Sequence, residues 1–401
     1  MTALPLKKVF KTVIGGVWGE DAKESEHDVR CVRVADFEYS TLQVGSRNIT
    51  YRSVPESQLS SRLLLDGDIV IEKSGGGENT IVGRAVRWTG NERAITSNFM
   101  ARLQPREEYD SQYLNYVFFH LYSSGVIRRY IKQTTGIQNL DLPAYLQEKW
   151  EFPSKATQAS IAAFLDRETA RIDELMREQE ALLDDLSDKR QATITQAVTK
   201  GIDASAPMKP SGVEWIGEIP EGWEVRKIKQ VTRFSYGSSL ATEAREDGSV
   251  PVYGSNGQVG IHSGANTHAP VIVIGRKGSS GKINYSDVPV FAIDTTYFID
   301  KTVTIHDLRW LSYALTIANL DSLSQDTGVP GLNRTTAYEQ TIVLPSLEEQ
   351  QAIAAYLDGQ LAQIDELREE VRANIEDMRI HRSALITAAV TGKIDVRPEA
   401  E

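Results

Sequence analysis

The chain repeats itself, and the repeat constrains it more than any other feature. Residues 152–203, FPSKATQASIAAFLDRETARIDELMREQEALLDDLSDKRQATITQAVTKGID, align without a gap to residues 344–395, LPSLEEQQAIAAYLDGQLAQIDELREEVRANIEDMRIHRSALITAAVTGKID. The offset is 192 residues, and 25 of the 52 positions are identical. Whatever one copy folds into, the other must fold into as well. The same offset sets Thr135-Gly136-Ile137 opposite Thr327-Gly328-Val329 and Leu140 opposite Leu332. Further upstream the register drifts, leaving scattered matches such as DIVIEKSGGG (68–77) beside VIVIGRKGSSG (271–281). The expected order is a variable unit at 1–147, a repeated segment at 148–203, a second variable unit at 204–338 and the repeated segment again at 339–401.

Each repeated segment reads as one long helix. Its apolar residues fall at Ile161, Leu165, Ile172, Leu175, Leu182 and Leu186 in the first copy, and at Ile353, Leu357, Ile364, Leu367, Val371 and Met378 in the second. Steps of three, four and seven make a heptad seam for helix–helix packing. Ser346 and Glu349 form a capping-box pattern behind Pro345; the first copy keeps Pro153 and Ser154 but has Thr157 at the acid position. Gly201 and Gly392 suit the far ends. About 45 residues at ~1.5 Å each give a rod of roughly 65 Å. A compact unit between the rods has a radius of gyration of about 14 Å. That span is too short to join a parallel pair comfortably, so antiparallel rods with a variable unit at each end are expected.

The variable units carry short β-type runs: CVRV (31–34), DIVI (68–71), VIVI (271–274) and QTIVL (340–344). Gly, Ser and Asn turns separate them, and helical patterns intervene at QYLNYVFFHL (112–121) and LRWLSYALTIANL (308–320). The fold class is therefore α+β: two globular domains with twisted β-sheets, separated by two long antiparallel helices forming a coiled coil, with a pseudo-twofold internal repeat.

With 41% hydrophobic residues the chain has ample material for cores. The single Cys31 removes any disulfide framework or Cys-rich zinc site. No apolar run approaches the roughly 20 residues of a membrane span, and MTALPLKKVFKTV lacks a signal-peptide pattern. A cytoplasmic protein without a membrane partner is expected.

No motif carries catalysis. VIVIGRKGSSGK fails as a phosphate loop, because Arg276 stands where its first glycine belongs and Ile283 where Ser or Thr would hold magnesium. SGGG at 74–77 is too short for a dinucleotide fingerprint and reads as a tight hairpin turn. His27, His120, His262, His268, His306 and His381 show no metal-ligand spacing. Asp173-Glu174 and Asp184-Asp185 read as solvated helix faces, and Cys31 as a strand residue. TTGIQNLDL and DTGVPGLNR instead place a polar, Gly-containing loop at equivalent ends of the two units. There Gln138, Asn139, Asn333 and Arg334 suit base edges, since amides pair with adenine and Arg with guanine.

LPSLEEQQAIAAYLDGQLAQIDEL, its degenerate copy FPSKATQASIAAFLDRETARIDEL, the lead-in EWIGEIPEGWEV and the segment TGVPGLNR resemble the DNA-specificity (S) subunits of type I restriction-modification systems. The likeness covers nearly the whole chain. It is specific in the helical regions and the lead-in, and generic in the variable units. One departure is the N-terminus, where ALPLKKVFKTV aligns with EVRKIKQVT but lacks the WIGEIPEGW before it. The resemblance implies two target recognition domains that each read half of a split target in double-stranded DNA, with the helices as a ruler for the unread spacer. It implies two modification (methyltransferase) subunits docked on the helices, and restriction subunits carrying translocase and nuclease activity. The chain would supply address and no chemistry or cofactor; S-adenosylmethionine, ATP and Mg2+ belong to the partners. Expected DNA contacts are Lys73, Ser74, Arg84, Arg87, Gln138 and Asn139 in the first unit, and Arg276, Lys277, Ser279, Lys282, Asn333 and Arg334 in the second. A specificity subunit of a fused restriction-methylation enzyme, and a coiled-coil scaffold without DNA readout, are the alternatives.

The formal charge of -11 runs against DNA binding when taken over the whole chain, because phosphate contacts need Lys and Arg. It resolves by segment. Residues 1–147 carry 18 basic and 17 acidic groups and residues 204–338 carry 12 and 13, whereas 148–203 carry 8 and 12 and 339–401 carry 6 and 13. The acidic excess lies in the repeated helical segments, and the two expected readers sum to zero.

Overall fold

A computed structural model of the chain describes residues 3–24, 28–77, 80–134, 136–323 and 331–396. His27, Thr135 and the Thr327-Gly328-Val329 stretch of the repeat lie outside the described residues. The protein has mixed helix and sheet with two long helices, and divides into two compact units: residues 1–180 with 372–401, and residues 181–371. Among the described residues no helix is long and apolar enough to cross a membrane.

The first unit is built on strands β1 (Phe10–Gly15), β2 (Ile69–Glu72) and β3 (Met100–Pro105). They pair antiparallel in the order β1-β3-β2, and the sheet continues through Ala85–Arg87. Ile69, Val70 and Ile71 are all fully buried, as a continuous apolar run should be when both sheet faces are covered. Helix α1 (Ser111–Ser123) packs its Leu114, Val117 and Phe118 into the main core, with Ile161 and Leu165 of helix α2 (Lys155–Lys200) in the same cluster. Cys31 is buried in the strand Asp28–Val32, which pairs in parallel with Ala94–Thr96.

The second unit repeats this plan with strands β4 (Ser235–Tyr236), β5 (Val271–Gly275) and β6 (Thr296–Asp300), in the order β4-β6-β5 and then Ile283–Ser286. The KINYS segment thus continues as strand after the Gly-rich turn. Val250–Gly254 pairs in parallel with Phe291–Ala292, as the corresponding strands do in the first unit. Helix α3 (Leu308–Ile317) buries Trp310, Leu311 and Leu315 completely. Helix α4 (Leu347–Val390) begins at the capping box: the Ser346 N–H donates to Glu349 Oε2 (3.0 Å) and the Glu349 N–H to Ser346 Oγ (3.3 Å). In the first copy Ser154 Oγ accepts the Thr157 N–H at 3.2 Å. Gly201 and Gly392 sit just past the helices with φ of +79° and +69°, the left-handed stop that glycine favours.

Within each unit the two helices run antiparallel. In the first, Asp173 pairs with Arg382 (2.9 Å) and Glu180 with Arg379 (3.7 Å). In the second, Arg190 faces Asp365 (3.5 Å), while Gly201 abuts Trp223, whose Nε1 donates to Glu349 near the start of α4. The seam differs from expectation at three leucines. Ile161, Leu165, Ile172, Leu186, Ile353, Leu357, Ile364 and Val371 are buried and Met378 is half-buried, but Leu175, Leu182 and Leu367 are 42%, 39% and 48% exposed. A face is kept only by alternating steps of three and four. From Ile172 that leads through Met176, Gln179 and Leu183 to Leu186, and from Ile364 through Arg368 to Val371 and Ile375. The three leucines stand one position off that path.

Identical side-chain locks tie each sheet unit to its helices. Gln158 and Gln350, both 1% exposed, each accept a backbone N–H on their Oε1, from Asp110 (2.9 Å) and Asp307 (3.0 Å). Each also donates Nε2 to the preceding proline carbonyl, Pro153 or Pro345. Asp110 and Asp307 cap α1 and α3. Tyr116 donates to Asp166 (2.7 Å) as Tyr313 does to Asp358 (2.5 Å), and Gln112 and Arg309 reach the same two carboxylates. A short antiparallel pair closes each unit: Leu4–Pro5 with Lys149–Trp150, and Glu224–Lys227 with Thr341–Leu344.

Candidate nucleic-acid interface

The candidate contact residues gather where β2 and β5 run out of their sheets. In the second unit Arg276 follows β5, with its N–H bonded to the Thr295 carbonyl (2.8 Å) and its own carbonyl accepting the Leu332 N–H (2.8 Å). The Arg276 guanidinium lies 5.1 Å from the centre of the Tyr236 ring and 5.8 Å from that of Tyr297, and Nη1 donates to the Asp294 carbonyl (3.1 Å). Arg334 stands 4.9 Å from Tyr236 and 5.9 Å from Tyr338. Two guanidiniums therefore share Tyr236, whose ring is 50% exposed. Tyr297, register partner of Tyr236, is buried and donates to the Leu332 carbonyl (3.2 Å); burial and the neighbouring Tyr236 push its phenol pKa up.

The other candidates of this unit divide. Lys277 and Ser279 are exposed beside Arg276. Lys282 is tied to the adjacent hairpin, donating to the Asn256 carbonyl (2.9 Å) and Oδ1 (2.8 Å). Asn333 caps the short helix Arg334–Tyr338, its Oδ1 accepting from the Thr335 N–H (2.8 Å).

In the first unit Lys73 occupies the place of Arg276. Its N–H bonds to the Phe99 carbonyl (2.7 Å), and its carbonyl accepts the Leu140 N–H (2.7 Å), the residue aligned with Leu332. The expected polar loop is a β-hairpin, Ile131–Thr134 with Ile137–Leu140, whose second strand pairs with Ser74–Gly75. Ser74 Oγ donates to Asn139 Oδ1 (2.7 Å). Gln138 braces the Gly-rich turn: Oε1 accepts the Val82 N–H (3.0 Å) and Nε2 donates to the Gly77 carbonyl (3.4 Å). Glu72, 4% exposed, accepts the Gly83 N–H beneath that turn, and burial pushes its pKa up. Arg84 is committed to packing, with Nε on Tyr122 Oη (3.2 Å) and its guanidinium 4.4 Å from the Tyr39 ring centre. Arg87 donates to Ser111 Oγ (3.0 Å) and faces Asp66 at 3.6 Å. Lys73, Ser74, Gln138 and Asn139 are thus brought together, while Arg84 and Arg87 serve the interior of the unit.

Sequence reasoning missed Tyr236, Tyr297 and the exposed Phe99 (49%). One signal was present. Gly16 and Gly237 follow Gly15 and Tyr236 at matching places, and a Cβ on either would stand about 2 Å from a backbone carbonyl, of Ser97 or Ile293. A glycine required by that close approach in both units marks β1 and β4 as equivalent, and so singles out the residue before it.

Comparison with known proteins agrees with this architecture. Residues 220–377 match the model of the type I restriction modification DNA specificity domain family. The EcoDI type I restriction enzyme specificity subunit of Escherichia coli is 25% identical over 185 residues, 44% of this chain and 40% of that protein, so the chain spans about two-fifths of this relative's length. The MjaVIII type I restriction enzyme specificity subunit of Methanocaldococcus jannaschii is 25% identical over 334 residues, 76% of this chain and 75% of that protein. Among solved structures, a chain from a study of complex assembly and conformational transition of the type I R-M system superposes with a TM-score of 0.74 at 14% identity, covering 98% of both chains. The HsdS subunit from Thermoanaerobacter tengcongensis gives 0.53 at 16% identity, covering 98% of this chain and 97% of that one. The protein has the fold of a specificity subunit. Within that fold, residues 220–377 match the type I restriction modification DNA specificity domain, and the curated proteins that the chain resembles are type I restriction enzyme specificity subunits.

Proposed function

We propose that the chain is the sequence-reading subunit of a type I restriction-modification complex, with each variable unit reading one half of a bipartite DNA target. The segments 1–147 and 204–338 are the readers, and 148–203 and 339–401 set the spacer and carry two modification subunits. The observation behind this reading is the duplicated set of locks: Gln158 and Gln350, with Tyr116–Asp166 and Tyr313–Asp358, hold two divergent sheet units to two copies of one helical segment. A scaffold has no use for divergent cargo on conserved mounts, whereas a reader of two different half-sites does. The chain supplies address. S-adenosylmethionine sits on the modification subunits, and ATP and Mg2+ on the restriction subunits that complete the assembly in the cytoplasm. Because the readers are electrically neutral in sum, the modification subunits provide much of the phosphate contact.

The test is methylome sequencing of a host that expresses the chain with the modification subunits encoded beside it. The expected result is adenine methylation at one asymmetric bipartite motif. Methylation at a continuous motif would overturn the split reading, and duplex binding absent with every companion protein present would favour the scaffold.

A further inference from the structure

The two units place a cation at the same point of the same sheet on different supports. Tyr236 pairs in register with Tyr297, and in the first unit the corresponding register pair is Gly15 with Ala101. The Lys73 Nζ lies 3.3 Å from where a Cβ on Gly15 would stand, so the ammonium occupies space that the Tyr236 ring fills in the second unit. Both cations have the same main-chain anchorage, through Phe99 and Leu140 or Thr295 and Leu332.

We propose that Lys73 and Arg276 are paired DNA-contacting positions of the two readers, and that Arg276, held beside Tyr236, reads a guanine in the half-site of the second unit while Lys73 contacts phosphate. The proposal rests on the DNA-reading function above. A guanidinium stacked on a ring presents its N–H groups edgewise, and that edge matches the O6 and N7 acceptors of guanine. The Nη1 bond to the Asp294 carbonyl fixes rotation about the remaining axis. Tyr236 is then a positioning residue, and its half-exposed ring on an edge strand leaves the fork open to a groove. Among the described residues no ring contact is seen for Lys73. It is a point charge that contacts phosphate and does not itself discriminate between bases.

The experiment uses the full chain with its modification subunits and a duplex library randomised in the second unit's half-site. The wild type should require guanine at one position. Arg276→Lys should lower preference at that base pair alone by about 5- to 150-fold, the worth of one bidentate contact, and Arg276→Gln should turn it toward adenine. Tyr236→Ala should weaken the same single preference and Tyr236→Phe should keep it, with a melting curve to show that each variant folds. Lys73→Ala should weaken all sequences together and flatten the salt dependence by about one charge. An unchanged motif with Arg276→Lys, or an equal loss across all sequences, overturns the proposal while leaving DNA reading intact. A wild type without sequence preference removes the underlying function instead.

Discussion

The two units solve the same packing problem with opposite chemistry. Asp68 and Arg102 form an ion pair inside the first sheet, at 2.5 Å, with side chains 1% and 7% exposed. In the second unit Val271 takes the place of Asp68 and Phe298 that of Arg102, and both belong to a hydrophobic cluster. The mounts, by contrast, are kept almost residue for residue. What the two copies share is the attachment of sheet unit to helix; the interior and the rim of the units differ. The contrast teaches that the two copies share their attachment to the helices and differ in what they attach.

The comparison can be broken most severely in the first interior. Arg102→Ala strands the Asp68 carboxylate, whose pKa burial already pushes up, and should cost about 3–5 kcal/mol. The double replacement Asp68→Val with Arg102→Phe, which copies the second unit, should recover most of that loss in denaturant unfolding. If the double variant were as unstable as the single one, the two interiors would not be interchangeable solutions.

A second test concerns the mounts. Leu165→Ala and Leu357→Ala each empty a fully buried seam position and should cost about 2–5 kcal/mol, in equal measure for the two copies. Leu175→Ala and Leu367→Ala, on exposed equivalent positions, should stay within about 0.5 kcal/mol in the isolated chain. If they weaken co-purification of the modification subunits all the same, the exposed leucines belong to the docking face.

The smallest effect distinguishes the units by pH. Lys227 and Lys229 flank Glu339 and hold its carboxyl down to about 2, while the aligned residue in the first unit is Gln147. A depressed folded pKa stabilises above the ordinary value of 4.5 and is lost as pH falls toward about 2. Because Glu339 is on the surface, the difference is slight. Glu339→Gln should lower stability above pH 4.5 and converge with the wild type near pH 2 in acid-unfolding curves.

Much of this was legible in the sequence, for stated reasons. A fixed offset of 192 residues forces two copies of one element, and the runs DIVI and VIVI became the buried strands β2 and β5 because buried strands need no polar alternation. The phase of the helix seam was less legible. Leu175 and Leu367 sit within reach of a heptad pattern, and only the half-burial of Met176 and the burial of Arg368's neighbours Ile364 and Val371 fix which residues face inward. The Tyr236 platform was illegible for a different reason. Which ring stands beside which guanidinium depends on the register of β4 against β6, a long-range pairing that no local pattern encodes. Arg84 and Gln138 show a further limit: residue types suited to base edges also make hydrogen bonds within their own unit, which the sequence does not reveal.

The most direct test of the central claim, that two readers are mounted on a duplicated helical spacer, is to insert one heptad into each of α2 and α4 and sequence the resulting methylome. Seven residues add ~10.5 Å of helix, which corresponds to about three base pairs at ~3.4 Å each. Both half-sites should stay unchanged and the unread spacer should lengthen by about three base pairs. Retained methylation with the original spacer would contradict it.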